Sequence, residues 1–161
     1  MKLALARFSS LVFTALALAP SLAHLLELPN KIGLARDDYF VVQQIYRGWA
    51  LLGVVVYAAL FSTLALAVLV RSRGKEFGLA LAAFLCIAGT QVIFWTFTHP
   101  ANQLTANWTL TPENWNVLRV QWEYSHAAAA ILNLIAMVAV AGSVLLDTHD
   151  RRAVPPGPGF R

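Results

Sequence analysis

The amino-acid sequence predicts an all-α integral membrane protein, built as a bundle of four transmembrane helices. Of its 161 residues, 58% are hydrophobic and only 12% are charged, about half the charge of a typical soluble domain. A water-soluble domain of this size buries only about two-thirds of its surface, so much of this apolar surface would face water. A bilayer removes that cost, and the length allows one domain.

Four apolar segments, each close to the ~20 residues needed to cross a bilayer, are the predicted spans. They cover residues 8–26, 49–70, 77–98 and 127–146. Helices satisfy the backbone polar groups within each segment, whereas a barrel needs many short alternating strands, which this sequence lacks. Residues 1–146 are therefore the predicted transmembrane domain, and residues 147–161, which are rich in Pro and Gly, are a predicted disordered cytoplasmic tail.

Local signals predict where three of the helices begin or end. Asp37-Asp38 predicts that the second helix starts before the membrane. Thr111-Pro112-Glu113 predicts that the fourth helix starts at Pro112. His99-Pro100 predicts the end of the third helix, because the residue before a proline disfavours helical geometry.

The distribution of Lys and Arg predicts the orientation, since basic residues accumulate on the cytoplasmic side. Both termini are expected to be cytoplasmic, and the loops around residues 27–47 and 99–118 to face outward. The expected cytoplasmic side carries Lys2, Arg7, Arg71, Arg73, Lys75, Arg151, Arg152 and Arg161, and the opposite side carries Lys31, Arg36, Arg47 and Arg119. These basic residues lie at loop edges, which argues against a nucleic-acid surface.

The N-terminal segment has an alternative interpretation as a signal peptide. Residues 1–23 contain a basic start, an apolar stretch and the small-residue sequence Ser21-Leu22-Ala23. Cleavage after Ala23 would leave three spans and His24 as the N-terminus.

Polar residues in the spans are concentrated at the outward ends and follow helical spacing. On each predicted helix they lie three or four residues apart, so they share one face. Ionisable groups at membrane depth are costly and indicate a functional site by default. The stripes are Trp115, Arg119, Trp122, Glu123 and His126; Gln91, Trp95 and His99; His24 and Glu27; and Gln43 and Arg47, with Tyr46 beside them.

Two spacings, His24-x-x-Glu27 and Glu123-x-x-His126, place a His–Glu pair on each of two helices. With His99 they give five candidate ligands for one transition metal, for which iron, copper and zinc are suitable. Haem with two axial histidines is a less favoured alternative, because no haem-specific motif is present. The non-metal alternatives are a structural charge network with Arg47 or Arg119, and ordinary helix-end positions.

The same stripes supply candidates for catalysis and substrate binding. Glu123, His126 and Arg119 are the predicted catalytic residues, for acid–base work and anion stabilisation. For tryptophans 95, 108, 115 and 122 an interfacial aromatic belt is the favoured interpretation, and pocket lining is the alternative. The predicted substrate-binding residues are Gln43, Tyr46, Arg47, Gln91, Trp95, Asn102 and Trp122.

The segment Pro100-Ala101-Asn102, together with Trp115, Leu118-Arg119, Trp122-Glu123 and His126, resembles the anthrone oxygenase-like family of small four-helix membrane proteins. Residues 28–31 and 43–49 are similar to a bacterial branch of it. The resemblance implies an oxygen-dependent reaction on a flat hydrophobic aromatic molecule, in the inner membrane of a bacterium. It does not place His24, Glu27 or Glu123, so the metal prediction comes from spacing alone.

Three functional hypotheses follow. The first is a membrane oxygenase or oxidoreductase acting on a lipophilic aromatic molecule that enters from the bilayer. The second is a non-catalytic module that binds haem, quinone or lipid, or that supports a partner subunit. The third, a small transporter, is less favoured because the inner halves of the spans are mostly apolar, with Asn133 as an exception. A homo-oligomer is compatible with all three.

Overall fold

The computed structural model describes the backbone of residues 1–153 and the side chains of residues 1–146. The last part of the predicted disordered tail, residues 154–161, lies outside the described residues. The backbone of residues 147–153 continues the last helix. The helices are α1 (Lys2–Lys31), α2 (Arg36–Gln43), α3 (Gly53–Leu69), α4 (Gly74–Ile93), α5 (His99–Leu104) and α6 (Trp115–Ala153).

Four of these helical stretches are long and apolar enough to cross a membrane, which confirms the predicted number of spans. They are Lys2–Lys31, Trp49–Leu69, Gly74–Leu104 and Trp115–Leu146, with mean hydropathy of 1.7, 2.4, 2.1 and 2.4. Large apolar side chains such as Phe61, Leu85 and Val92 are exposed on the outside of the bundle, where lipid tails would cover them. The chain is therefore a multi-pass membrane protein.

The four spans pack as a ring in which α1 and α4 each contact both α3 and α6. Successive spans run in opposite directions, so the bundle has two distinct ends. The terminal end holds Lys2, the turn at residues 70–73 and Leu146. The loop end holds residues 32–52 and 105–114.

Small residues let the helices approach closely in the middle of the bundle. Ala59, Ala83 and Ala136 are fully buried there. A Cβ added to Gly89 would lie 3.2 Å from Leu132 Cδ1. Close contact of this kind is how helices associate in lipid, where no hydrophobic force drives them together.

Ion pairs centred on the buried Glu76 connect the helices at the terminal end. Arg7 Nη2 lies 2.8 Å from Glu76 Oε2, and Arg73 Nη1 lies 3.5 Å from Glu76 Oε1. The Ser143 hydroxyl donates a hydrogen bond to the Glu76 carbonyl oxygen at 3.1 Å. The cluster joins α1, α4 and α6 below the apolar core.

Two predicted boundaries of the third and fourth helices are wrong. The third span continues through Pro100 to Leu104, because a π-helical turn over Phe94–Thr98 precedes the proline and bonds the His99 N–H to the Phe94 carbonyl. Such wider turns accommodate local disruptions of the helical hydrogen-bond ladder. The fourth helix begins at Trp115 rather than Pro112, because the Asn114 carbonyl accepts the first helical hydrogen bonds.

The predicted second helix begins at Arg36 but is not continuous. α2 ends at Gln43 and is followed by 3₁₀ turns over Gln44–Tyr46 and Trp49–Leu52. Between them Gly48 adopts a φ of +88°, a left-handed conformation that glycine adopts without steric cost. The break bends residues 44–52 across the loop end of the bundle.

Candidate functional site

A cavity of about 700 Å³ lies at the loop end of the bundle. Aromatic side chains and polar amides line it together, which is the usual composition of a site for a small apolar ligand. The aromatic members include Tyr46, Trp49, Phe94, Trp95 and Trp122.

Two histidines from neighbouring helices face each other at the wall of this cavity. The ring centroids of His24 on α1 and His126 on α6 are 4.1 Å apart, with an angle of 32° between the ring planes. His24 also contacts Tyr46, Trp49 and Trp122, at centroid distances of 4.5, 5.5 and 5.1 Å. We refer to His24 and His126 as the histidine pair.

Helical spacing explains why these side chains meet. Ala17, Ser21 and His24 line the cavity from α1, at intervals of four and three residues. On α6, His126 lines it together with Trp122 and Asn133, at intervals of four and seven. The packing of α1 against α6 brings the two faces together.

Beside the histidine pair lies a buried charged cluster, formed by Glu27, Lys31 and Glu123. Lys31 is 3% exposed and Glu123 is 1% exposed. The Lys31 ammonium nitrogen lies 3.3 Å from Glu27 Oε2 and 3.3 Å from Glu123 Oε1. It also sits over the rings of Tyr46 and Trp122, at 4.5 and 4.9 Å from their centroids, so cation–π attraction adds to the ion pairs.

Two tyrosines and a glutamine add hydrogen bonds to the charged cluster. Tyr39 donates to Glu123 Oε1 at 2.8 Å, and Gln43 Nε2 donates to the Tyr39 hydroxyl. Lys31 donates to the Tyr46 hydroxyl at 2.7 Å, and Tyr46 donates to Glu27 Oε2.

Burial, followed by the negative charge of Glu123, raises the pKa of Tyr39. Burial, followed by the hydrogen bond to Glu27, raises the pKa of Tyr46. Both phenols therefore act as hydrogen-bond donors to carboxylates across the neutral pH range.

All seven predicted substrate-binding residues line the cavity. Of the predicted catalytic residues, His126 lines it, whereas Glu123 and Arg119 do not. Glu123 belongs to the charged cluster. Arg119 donates to the Leu34 carbonyl oxygen at 2.8 Å and lies over the rings of Trp115 and Tyr39. The seven predicted substrate-binding residues that line the cavity are Gln43, Tyr46, Arg47, Gln91, Trp95, Asn102 and Trp122.

The five predicted metal ligands do not meet at one point. His24 and His126 border the cavity, whereas Glu27 and Glu123 are held by the ammonium of Lys31. His99 packs on Trp95 and Phe94, at centroid distances of 4.8 and 5.8 Å. Among the side chains that the structure describes, no group of three His, Cys, Asp or Glu residues is placed to hold a metal ion. The described residues therefore do not fit the predicted mononuclear metal site, which needs at least two of these imidazoles and one carboxylate together.

The aromatic-belt interpretation is wrong for two of the four tryptophans. Trp108 and Trp122 are each 3% exposed, so protein rather than the membrane interface surrounds them. The Trp122 indole N–H donates to Asn102 Oδ1 at 2.8 Å, which fixes the ring against the histidine pair. Trp95, by contrast, is 55% exposed.

Sequence reasoning missed two central residues, Lys31 and Tyr39. In the sequence Lys31 stands out as an outward basic residue, yet it follows Glu27 by four residues, a spacing that allows an ion pair on one helix face. Tyr39 carried no signal beyond its place in the first turns of α2. Asn133 is an isolated polar residue in an apolar span of the sequence, yet in the structure it lines the cavity and donates to Ser21 Oγ at 2.8 Å.

Comparisons with known proteins return no family for this chain. No family model matches it, and neither a curated protein nor a solved structure does.

Proposed function

We propose that this protein is a membrane oxidoreductase of the oxygenase type, which binds a flat lipophilic aromatic molecule in the loop-end cavity. One observation carries the proposal: the rings of His24 and His126 face each other, with centroids 4.1 Å apart, at the wall of a cavity of about 700 Å³ that aromatic side chains line. Two positively charged rings at that distance would repel each other strongly away from water, so the pair carries at most one positive charge. At least one imidazole is then a base.

That base suits proton abstraction from an activated carbon. A CH₂ group between aromatic rings becomes a delocalised carbanion when a histidine takes its proton, and the carbanion passes electrons to O₂. The net reaction converts CH₂ and O₂ into C=O and H₂O, with one O₂ consumed per carbon oxidised. The carbon and O₂ join as a hydroperoxide, to which the histidine returns its proton. Loss of the remaining C–H proton then forms C=O as the O–O bond breaks, and that proton and the departing hydroxide form the water. Histidine is the side chain that most often acts as a general acid or base in enzymes, which supports this assignment.

The polar lining supports recognition of an oxygenated aromatic ring system. Gln43, Gln91 and Asn102 offer amide groups to substrate carbonyl or hydroxyl groups, while Trp49 and Trp122 provide flat apolar surface. Glu123 and Lys31 act here by holding the walls in place, since neither lines the cavity. The proposal assigns no step to a metal, because the ammonium of Lys31 lies where a cation shared by Glu27 and Glu123 would bind.

A binding module for a quinone, lipid or haem is the second candidate. The cavity would hold such a molecule by the same aromatic walls and amides without turnover. The transport alternative is not adopted, because the helices below the cavity pack on small apolar side chains such as Ala59, Ala83 and Ala136.

We place the loop end on the outer side of a bacterial inner membrane, with both termini cytoplasmic. The support is the excess of Lys and Arg at the terminal end. We also place residues 1–23 in the functional protein, because Arg7 pairs with Glu76 and Ser21 accepts a hydrogen bond from Asn133.

The proposal is tested with purified protein in lipid nanodiscs, an anthrone as probe substrate, and an oxygen electrode. Wild type is expected to consume one O₂ per anthrone oxidised. His126→Ala and His24→Ala should each lower the rate by about 10²-fold or more, the range for loss of a general base. His99→Ala is the matched control and should keep the wild-type rate, because His99 lies outside the cavity lining.

Equal rates in all four proteins, or a rate indistinguishable from protein-free nanodiscs, would exclude the oxygenase assignment. Saturable binding of the probe that His126→Ala weakens, without O₂ consumption, would instead establish the binding module.

A further inference from the structure

We propose that the charged cluster is a proton-binding site, in which Glu123 holds an additional proton at its unpartnered carboxyl oxygen, Oε2. The site is distinct from the histidine pair and stands independently of the proposed oxygenase reaction.

The first support is the charge inventory of the cluster. One ammonium, Lys31, faces two carboxylates, Glu27 and Glu123, in direct ion-pair contact. The side chains of Lys31 and Glu123 are 3% and 0% exposed. Because the side chain of Glu27 is 35% exposed and stays in contact with water, the costly charge is the fully buried carboxylate of Glu123, and binding a proton there removes it.

The second support is a pair of buried acceptors without donors. Within the described part of the chain, Glu123 Oε2 and Gln43 Oε1 have no hydrogen-bond partner. Their residues are 1% and 3% exposed, and Gln43 Nε2 lies 3.5 Å from Glu123 Oε1. A proton on Oε2 turns one of these two acceptors into a donor, as buried polar groups require.

Among the described side chains, no second cation lies at ion-pair distance from Glu123. α1 contributes Glu27, Lys31 and His24, α2 contributes Tyr39 and Gln43, and the following turn contributes Tyr46. The third span contributes only uncharged contacts nearby, through Asn102 to Trp122 and Thr98 to Ser125. On α6 itself, His126 faces His24, and Arg119 is directed to the Leu34 carbonyl and to the rings of Tyr39 and Trp115.

A hydrogen-bonded chain connects this proton site to the surface. Lys31 bonds to Glu123 on one side and to the Tyr46 hydroxyl on the other. Tyr46 donates to Glu27, whose side chain is 35% exposed. A proton can therefore exchange with water at Glu27 and reach Glu123 Oε1, beside Lys31, by shifts along Tyr46 and Lys31. Rotation of the carboxyl group then places it on the Oε2 side, and no bond is broken other than O–H and N–H.

Infrared spectroscopy tests the proposal, because a protonated carboxyl has a C=O stretch that an ionised one lacks. Protein in nanodiscs is measured from about pH 5 to about pH 8, a range in which ordinary carboxyls are ionised. Wild type is expected to show a carboxylic-acid band at neutral pH that shifts in D₂O. Glu123→Gln should remove the band, and Glu76→Gln, at the terminal end, should retain it.

Lys31→Met provides an independent variant that keeps both carboxyls. Loss of the ammonium should strengthen the carboxylic-acid band and extend it to higher pH, because the two carboxylates then repel each other without compensation. The proposal is overturned if wild type shows no carboxylic-acid band across this range. It is equally overturned if the band survives in Glu123→Gln, or if Lys31→Met leaves its intensity and pH range unchanged.

Discussion

At the scale of single residues, the site depends on buried polar side chains that contact one another, although Glu123 Oε2 and Gln43 Oε1 have no hydrogen-bond partner among the described residues. Lys31 makes ion pairs with Glu27 and Glu123, a hydrogen bond to Tyr46, and cation–π contacts with Tyr46 and Trp122. An unpaired ammonium at this depth would be costly. The geometry of the cavity wall therefore depends on this one side chain, although the side chain does not line the cavity.

Tyr39 leads to a prediction about alkaline stability. Its pKa is raised in the folded protein, whereas a tyrosine in the unfolded chain ionises near pH 10. Its contribution to stability is therefore complete below about pH 10 and is lost as the pH rises further, because the unfolded chain releases the proton first. We expect the free energy of unfolding to fall above pH 10 by up to about 1.4 kcal/mol per pH unit from this group.

The measurement is the unfolding midpoint in mixed detergent at several pH values. Tyr39→Phe should be less stable than wild type at pH 8, since Glu123 loses a donor, but should show a smaller alkaline decrease. Tyr124→Phe is the control, because Tyr124 is 56% exposed on α6. An identical alkaline decrease in all three proteins would contradict the role given to Tyr39.

At the scale of elements, two irregular segments shape the loop end. The bend at Gly48 carries Tyr46 and Trp49 to the cavity. In the other segment, Ala106, Asn107 and Trp108 have φ angles of 46°, 56° and 63°, which non-glycine residues adopt only at some cost. The Thr105 hydroxyl accepts from the Trp108 N–H at 3.1 Å, and Gln44 donates to the Trp108 carbonyl at 2.9 Å. Those hydrogen bonds hold the turn in place.

Gly48 provides the prediction at this scale. Gly48→Ala should lower the free energy of unfolding by about 1–2 kcal/mol, because a Cβ disfavours the left-handed conformation, although it would meet no atom within 4 Å. Gly53→Ala is the matched control, since its added Cβ also lies in open space and its backbone is helical. There alanine should be neutral or stabilising by roughly 0.5–1 kcal/mol.

The test compares the unfolding midpoints of Gly48→Ala, Gly53→Ala and wild type in the same detergent. Equal stability of Gly48→Ala and Gly53→Ala would show that the bend does not require a positive φ.

At the scale of the whole molecule, the ring of four spans separates two polar ends by an apolar middle. The terminal end is fastened by Arg7, Glu76 and Arg73, and the loop end by the charged cluster. Between them, Ile87 and Val140 pack among buried alanines. The two ends can therefore be altered separately, which is why Glu76→Gln serves as a control for Glu123→Gln.

The proposed orientation gives a prediction for the intact protein. In a Cys86→Ala background, single cysteines replace Asp38 at the loop end and Ser72 at the terminal end, both of which are exposed positions. A membrane-impermeant maleimide added to spheroplasts should label the cysteine at position 38 directly. It should label the one at position 72 only after permeabilisation. The opposite pattern would invert the proposed topology and place the cavity on the cytoplasmic side.

The sequence anticipated much of this architecture where one physical effect dominates locally. Residues 49–70 were predicted to span the membrane because an apolar run of this length is stable in the bilayer core and not in water. Gln43, Gln91 and Trp122 were placed near one another because helical periodicity puts them on inward stripes at one depth. The predictions failed at Pro100, where the π-helical turn carries the helix through the proline, and at Gly48, where a left-handed residue divides the predicted second helix.

The sequence by itself determined the number of spans and the clustering of polar residues at one end, since both follow from hydropathy and helical periodicity. Only the tertiary structure decided which of those polar residues contact one another. His24 meets His126 across α1 and α6, Lys31 takes the two carboxylates, and His99 lies apart. Which cation neutralises which carboxylate depends on distances between helices, and spacing along one helix carries no information about those distances.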